Sequence, residues 1–133
     1  MKYILATHGK MASGIKQTIE MLAGEQKDLI ALDAYVDHTD FTKDFDSLIN
    51  SFQKNETIFI FTDACYGSVN QSIFPYLHDH TFTLIAGINL PLVMEILMYK
   101  KALSEAEIEA IIQNARQQII HVNPLYKDES PTE

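Results

Sequence analysis

The sequence predicts an α/β fold in which helices flank a doubly wound, mainly parallel sheet with the strand order 2-1-3-4. Two observations predict this class: four short apolar runs are continuous rather than alternating, and stretches with helical spacing lie between them. Continuous runs are typical of strands that are covered on both faces. Because strands that alternate with helices are joined by right-handed crossovers, we expect a parallel sheet. With 133 residues, 47% of them hydrophobic, the chain suffices for one domain with a core.

The predicted strands are apolar runs bounded by polar or turn-forming residues. They cover residues 2–7, 28–34, 57–62 and 81–87. A further apolar run, "QIIHVNPLY" at residues 118–126, fits two structures. It either continues the last helix or forms a fifth strand, which would be antiparallel at the sheet edge or exchanged with a second subunit.

The first two helices are predicted from apolar residues at helical spacing. One face of the first helix carries Met11, Ile15, Ile19 and Leu22. Gly24 supplies a stop after that helix. The second helix runs from Thr39 to about Asn55, and either Thr39 or Asp40 can cap it. Its apolar face consists of Phe41, Phe45, Leu48, Ile49 and Phe52.

Three more helices follow. The third is expected from about Ser68 to His80, and the fourth starts at Pro91, a favourable first-turn residue. The fifth begins at Ser104, with Glu107 three residues later as the second half of a capping box. Its apolar positions are Ile108, Ile111, Ile112, Ala115 and Ile119.

Charge and cysteine content exclude several classes of function. The formal net charge is −8 and the largest basic cluster is one lysine pair, so nucleic acid is an unfavourable partner. A partner with a positive face would be attracted instead. The single cysteine, Cys65, excludes an internal disulfide framework and a CxxC pair. No apolar run approaches the roughly 20 residues that cross a bilayer, so we expect a cytoplasmic protein.

The predicted topology brings a histidine and a carboxylate together. A doubly wound sheet places strand 1 between strands 2 and 3, and its crevice opens at the carboxyl ends of strands 1 and 3. Strand 1 ends at His8 and strand 3 at Asp63, 55 positions later. A carboxylate that accepts the proton of one ring nitrogen fixes the tautomer and leaves the other lone pair available. It also stabilises the positive charge that develops when the ring attacks.

Backbone donors are expected on both sides of this pair. Gly9 allows an anion to approach, and residues 9–11 open a helix whose unpaired N–H groups would point towards the crevice. The loop "DACYGSVNQS" offers Gly67 for close approach and Ser68 as hydroxyl donor and helix cap. A histidine nucleophile between two anion-binding helix starts suits reversible phosphorylation on nitrogen. This chemistry requires no nucleotide, metal or other cofactor.

Each residue also has a structural interpretation. His8 taken alone fits a passive surface residue, and Asp63 fits a helix cap. His78 and His80 offer a pair of metal ligands without an evident third, which favours solvated histidines at a helix end. Cys65 is either a reactive thiol or, more simply, a small apolar residue in a loop.

Three motifs together resemble a known family. They are "HGKMASGI" after strand 1, "FTDACYGSVNQ" at the end of strand 3 and "AGINLPLVMEIL" after strand 4. In this order and spacing they resemble the IIA domains of the mannose/fructose/sorbose family of the sugar phosphotransferase system. The resemblance spans nearly the whole chain and implies a IIA domain at residues 1–126, followed by a tail or linker remnant at 127–133. It would be a free-standing IIA protein or a IIA part cut at its linker.

The resemblance implies a phosphocarrier. His8 would accept a phosphoryl group from the phosphocarrier HPr and pass it to a histidine of the cognate IIB protein, with Asp63 orienting the ring and Ser68 beside the phosphoryl group. Members are typically homodimers, and they meet the membrane only indirectly, through the IIC/IID permease. The chain departs from the family pattern at Tyr66, where a glycine is common, and at Val69, where a proline is common. These departures leave the donor to the phosphoryl oxygens open.

Two other functions compete with this interpretation. The phosphoryl-donor subunit of a dihydroxyacetone kinase has a similar fold and the same histidine chemistry, although "GINLP" and the helix after it fit the sugar transporter better. The other competitor is a non-enzymatic binding or receiver module of flavodoxin-like shape. A receiver needs an acidic cluster after strand 1, where this chain has "THGK".

Overall fold

The computed structural model describes residues 1–129, and residues 1–102 form a compact unit that contains the whole sheet. Its strands are β1 (Lys2–His8), β2 (Leu29–Ala34), β3 (Ile58–Thr62) and β4 (Thr83–Ala86). Its helices are α1 (Met11–Ala23), α2 (Phe41–Ser51), α3 (Ser68–Ile73), a 3₁₀ helix (Phe74–His78) and α4 (Leu90–Tyr99). A second unit begins at Leu103 and contains α5 (Glu105–Arg116) and α6 (Asn123–Glu129).

The sheet has the predicted parallel topology, with the order β2-β1-β3-β4. Its register brings the carboxyl ends of β1, β2 and β3 to the same edge of the sheet. His8 lies opposite Ala34 on β2, and Ala6 lies opposite Thr62 on β3. The segments that follow these strands therefore leave the sheet side by side, which is what places their side chains in one crevice.

The core explains why the strands are continuously apolar. All five residues of β3 and the five central residues of β1 are buried. On the face towards α2 and α3 the core consists of Ile4, Ala6, Ala34, Ile58, Ile60, Phe41, Phe45, Ile49, Val69 and Ile73. Full burial of one such large side chain contributes roughly 1.5–3 kcal/mol. Val69 and Ile73 anchor α3 in this core, which holds the start of α3 at the carboxyl edge of the sheet.

Helix α1 buries only part of the predicted face, because Ile19 is buried and Ile15 is half-buried. Ala12 and Ile19 are fully buried, whereas Met11 and Leu22 are exposed. The buried face is therefore rotated so that the small side chain of Ala12 lies at the first turn, where the helix leaves the sheet edge. Leu22 lies in the last turn and is exposed to solvent there.

The next two helices are shorter than predicted. Asp40 caps α2 by accepting hydrogen bonds from the backbone of Thr42 and Lys43, and the helix ends at Ser51. The predicted third helix is divided into α3 and the 3₁₀ helix. Pro75 lies at this junction and has no N–H to donate, which breaks the α-helical hydrogen-bond pattern.

The second unit contains the predicted capping box of Ser104 and Glu107. Helix α5 ends at Arg116, so Ile119 lies outside it and the run at 118–126 does not continue the helix. Residues 117–122 form turns and irregular backbone, and α6 follows. The predicted tail begins inside α6 at residues 127–129, and its residues 130–133 lie outside the described part of the chain. Exchange of this segment with a second subunit stays a prediction.

No helix within residues 1–129 is long and apolar enough to cross a membrane.

Candidate functional site

The structure brings His8 and Asp63 into direct contact at the carboxyl edge of the sheet. Nδ1 of His8 lies 2.8 Å from Oδ2 of Asp63, and the backbone N–H of His8 donates to the same oxygen over 2.9 Å. The His8 side chain is 45% exposed, whereas that of Asp63 is only 16% exposed. The carboxylate is thus held inside the crevice while the ring stays reachable from solvent.

The electrostatics of this pair favour an ionised carboxylate. Burial by itself raises the pKa of Asp63, but the two hydrogen bonds from His8 and the charge of its ring outweigh that effect and hold the pKa below its usual range. A carboxylate only accepts hydrogen bonds, so Nδ1 of His8 carries the ring proton. In the neutral ring the lone pair then lies on Nε2, which is the nitrogen available for attack.

A hydroxyl pair faces that second nitrogen. Oγ of Ser68 lies 3.0 Å from Nε2 of His8, and the hydroxyl of Tyr35 donates to Oγ of Ser68 over 2.9 Å. The rings of His8 and Tyr35 lie beside each other with their centroids 5.3 Å apart. Ser68 does not cap α3 as predicted, because Gly67 occupies the N-cap position and the Ser68 hydroxyl is engaged with His8.

The two predicted glycines have different parts in this geometry. A Cβ atom on Gly67 would lie 3.2 Å from Cε1 of His8, so the missing side chain leaves room for the ring. Gly9 has a φ of 58°, a left-handed conformation that glycine adopts without strain. Its N–H donates to the carbonyl of Ala34 over 2.8 Å. Gly9 therefore shapes the turn after β1, and its N–H is not available to an anion.

The start of α1 is more fully hydrogen-bonded than the sequence indicated. Oγ1 of Thr7 accepts the N–H of Ala12 over 2.8 Å, and the carboxylate of Asp33 accepts the N–H and the hydroxyl of Ser13 over 2.9 and 2.6 Å. These side chains satisfy donors that a helix start otherwise leaves open. The predicted set of unpaired N–H groups is correspondingly smaller on this side of the crevice.

A buried amide fixes the loop that carries Asp63 and Gly67. Oδ1 of Asn70 accepts the hydroxyl of Thr62 over 2.8 Å, and Nδ2 of Asn70 donates to the carbonyl of Cys65 over 3.0 Å. Thr62 and Asn70 are buried polar residues, and their mutual hydrogen bond satisfies them. This link joins the end of β3 to the first turn of α3 and so fixes the path of the loop between them.

The remaining candidates lie apart from this pair. Nε2 of His80 lies 3.0 Å from Oδ1 of Asn50, and His78 is exposed. The described residues contain no group of three histidine, cysteine, aspartate or glutamate side chains that could hold a metal ion. Cys65 is an exposed free thiol, and Tyr66, at 93% exposure, extends into solvent rather than over His8.

Sequence reasoning missed Tyr35 and Asn70. A signal for Tyr35 was present, because it directly follows β2 and therefore leaves the sheet at the same edge as His8. Asn70 gave a weaker signal as a polar residue between two apolar positions of a helix, Val69 and Ile73. Its contact with the loop depends on the path of residues 63–67, which periodicity does not define.

The family model described as "PTS system fructose IIA component" matches residues 2–115. Among solved structures, a protein from Klebsiella pneumoniae described as a candidate phosphoenolpyruvate-dependent sugar phosphotransferase system permease is 31% identical. The match covers 94% of this chain and 93% of that chain, with a TM-score of 0.86. The Klebsiella protein is therefore similar to this chain in both sequence and fold.

Two more distant structures share the fold. One is the PTS IIA protein associated with the fucose utilization operon from Streptococcus pneumoniae, at 23% identity and a TM-score of 0.79, covering 94% of this chain and 95% of that one. The other is the mannose/sorbose specific IIA subunit of the phosphotransferase system from Enterococcus faecalis. It is 15% identical with a TM-score of 0.78, and the match covers 99% of this chain and 97% of that chain.

Proposed function

This chain belongs to the mannose/fructose family of IIA components of the sugar phosphotransferase system, and from that premise we propose that His8 is a transient phosphoryl acceptor. His8 receives the phosphoryl group from the phosphohistidine of HPr and passes it to a histidine of the cognate IIB protein. The observation that carries this assignment is the 2.8 Å contact of Nδ1 with Asp63, which leaves the lone pair of the ring on Nε2.

The proposed transfer needs no proton movement when the donor ring of phosphorylated HPr carries a proton on its other nitrogen, because that ring then leaves as neutral imidazole. The lone pair of Nε2 forms a new N–P bond while the N–P bond to the donor nitrogen of HPr breaks, and the donor nitrogen keeps the bonding pair. The His8 ring gains positive charge in this step, and the adjacent carboxylate of Asp63 balances it. Transfer onward to IIB is the same step in reverse. Phosphoryl transfer proceeds through a loose transition state, so positioning and electrostatics supply most of the catalysis.

The exposure of the acceptor supports delivery by proteins. A ring that is 45% exposed at the rim of a crevice can be reached by a histidine presented on the surface of another protein. Both partners must dock in turn at the same edge of the sheet. With a net charge of −8, long-range attraction favours partners that present a positive face. The proposed carrier would work in the cytoplasm and reach the membrane only through the IIC/IID permease.

Labelling tests the proposed function directly. The chain is incubated with phosphoenolpyruvate, the first enzyme of the system and HPr, and the adduct is located by mass spectrometry. We expect one acid-labile, base-stable phosphoryl group on His8. The matched control is His78→Ala, which removes an exposed histidine and should leave labelling unchanged. Absence of an adduct, or an adduct on another residue, contradicts the proposal.

The proposed assembly is a homodimer whose interface includes the segment after about Gln117. Ile119, Ile120 and Val122 are exposed apolar residues in this segment, and such a cluster favours burial against another chain. Sedimentation at micromolar concentration is expected to give a dimer, and Ile120→Asp is expected to weaken it. A wild-type monomer with full transfer activity would contradict this assembly.

A further inference from the structure

Tyr35 is a neighbour of His8 that the proposed transfer step leaves without a role. Its hydroxyl donates to Oγ of Ser68 over 2.9 Å, and its ring lies beside the imidazole. We propose that Tyr35 is a positioning residue for phosphoryl transfer that acts through the hydroxyl of Ser68. This inference rests on the proposed function of His8 and extends it by one residue.

The direction of the hydrogen bonds follows from the carboxylate. Asp63 accepts from Nδ1 of His8, so Nε2 has no proton and can only accept. Ser68 therefore donates its single hydroxyl hydrogen to Nε2 over 3.0 Å. Because that hydrogen is used, the contact with Tyr35 requires the tyrosine to donate. The result is a chain of donors that runs from Tyr35 through Ser68 to His8.

The hydrogen bonds from Tyr35 to Ser68 and from Ser68 to His8 determine the position of the Ser68 hydroxyl during transfer. The lone pair that accepts from Ser68 is the one that attacks phosphorus, so this hydrogen bond breaks as the N–P bond forms. The Ser68 hydrogen is then free to turn to a phosphoryl oxygen. Tyr35 still holds the oxygen of Ser68 and keeps it beside the reacting nitrogen. Ser68 thereby provides a donor to the phosphoryl group, and the hydrogen bond from Tyr35 keeps that donor in place.

The backbone conformation of Tyr35 helps to define the position of its side chain. Its φ of 66° lies in the left-handed region, which is unfavourable for a residue with a Cβ atom. Such residues cluster at functional sites, where the surrounding structure holds them in place. The preceding residue, Ala34, accepts the N–H of Gly9 and so ties the end of β2 to the turn after His8. Tyr35 is thus fixed relative to the reacting ring by its backbone as well as by its hydroxyl.

A double-mutant cycle tests the proposal. Tyr35→Phe removes the hydroxyl and keeps the ring, Ser68→Ala removes the intermediate hydroxyl, and the double variant combines them. We expect Tyr35→Phe to slow transfer from phosphorylated HPr about three- to tenfold in the wild-type background. In the Ser68→Ala background the same change should alter the rate by less than about twofold, because the two residues act as one unit. Tyr66→Phe is the matched control, since it removes the hydroxyl of an exposed tyrosine on the adjacent loop.

An NMR measurement on the unphosphorylated protein provides a second readout. Tyr35→Phe should shift the ¹⁵N resonance of His8 Nε2, which loses part of its hydrogen bond, and leave Nδ1 nearly unchanged. A general loosening of the fold would move both nitrogens. Independent, additive effects of the two substitutions, or a wild-type rate for Tyr35→Phe, would refute the role of Tyr35 while His8 is still labelled. A wild-type chain that takes no label would refute the proposed function itself.

Discussion

His8 and His80 lie at opposite edges of the sheet, and each bonds one ring nitrogen to a side-chain oxygen. For His8 the partner is the carboxylate of Asp63 at 2.8 Å, and for His80 it is the amide oxygen of Asn50 at 3.0 Å. The surroundings of the second ring nitrogen also differ between the two histidines. Nε2 of His8 faces a hydroxyl at the rim of the crevice, whereas Nδ1 of His80 is buried and has no hydrogen-bond partner among the described residues.

For the phosphoryl transfer that we propose for His8, two features distinguish it from His80. A carboxylate balances the charge of a phosphorylated ring, but an amide contributes only a dipole. The amide oxygen of Asn50 accepts a hydrogen bond from the N–H at Nε2 of His80, so the lone pair of His80 lies on the buried Nδ1. That ring packs against Tyr76, with centroids 5.6 Å apart. His80 is therefore a structural residue, although its hydrogen bond to Asn50 resembles that of His8 to Asp63.

Removing each histidine gives the largest expected contrast. His8→Ala should abolish phosphoryl acceptance and leave the fold intact, because the side chain lies at the crevice rim outside the core. His80→Ala should keep the wild-type transfer rate and lose about 1 kcal/mol of stability with its hydrogen bond. Mass spectrometry after labelling and thermal unfolding measure the two effects. Wild-type labelling of the His8 variant would contradict the assignment.

Replacing the carboxylate beside His8 with an amide is a sharper test than removing the histidine. Asp63→Asn gives His8 an amide, as His80 has, and the amide can hold the ring in the wrong tautomer. We expect phosphorylation of His8 to slow at least roughly tenfold, about 1.4 kcal/mol of barrier, with the melting temperature within a few degrees of wild type. Stopped-quench measurement of transfer from phosphorylated HPr gives the rate. An unchanged rate would contradict the proposed role of Asp63 in orienting the His8 ring.

The reverse exchange is the matched control. Asn50→Asp gives His80 a carboxylate without changing which of its nitrogens is buried. If access to the second nitrogen is also required, His80 stays unlabelled in this variant. Labelling of His80 would show that the carboxylate alone is sufficient.

The sequence predicted the fold and the proximity of His8 and Asp63 for the same reason. Apolar runs and helical spacing define which segments are strands, and the parallel topology then determines which strand ends meet. The contact of His8 with Asp63 follows from that topology. Tyr35 was not predicted, because its position depends on a left-handed turn and a side-chain rotamer. The burial of Ala12 in α1 also escaped prediction, although Ile19 of the predicted face is buried.

A smaller effect is expected from the space around the His8 ring. A Cβ on Gly67 would lie 3.2 Å from Cε1 of His8, so Gly67→Ala should displace the ring by a few tenths of an ångström and slow transfer roughly two- to fivefold. Gly14→Ala is the control, because nothing lies within 4 Å of a Cβ at that helical position. It should keep the wild-type rate and stabilise the protein slightly. Equal rates for both variants would show that the room beside the ring is unimportant.

The smallest expected effect is a pH dependence of stability. It distinguishes a carboxylate partner of His8 from an amide partner, because a carboxylate titrates in acid and an amide does not. The pKa of Asp63 is lowered in the folded chain, so its contribution to stability is complete above the ordinary aspartate pKa, about 3.9, and is lost as the pH falls through the folded value. The melting temperature of wild type should therefore exceed that of Asp63→Asn by a few degrees near neutral pH, and the difference should shrink in acid. Thermal unfolding of both proteins between about pH 7 and pH 3 measures it. A difference that stays constant over this range would mean that the ionised carboxylate does not stabilise the fold through His8.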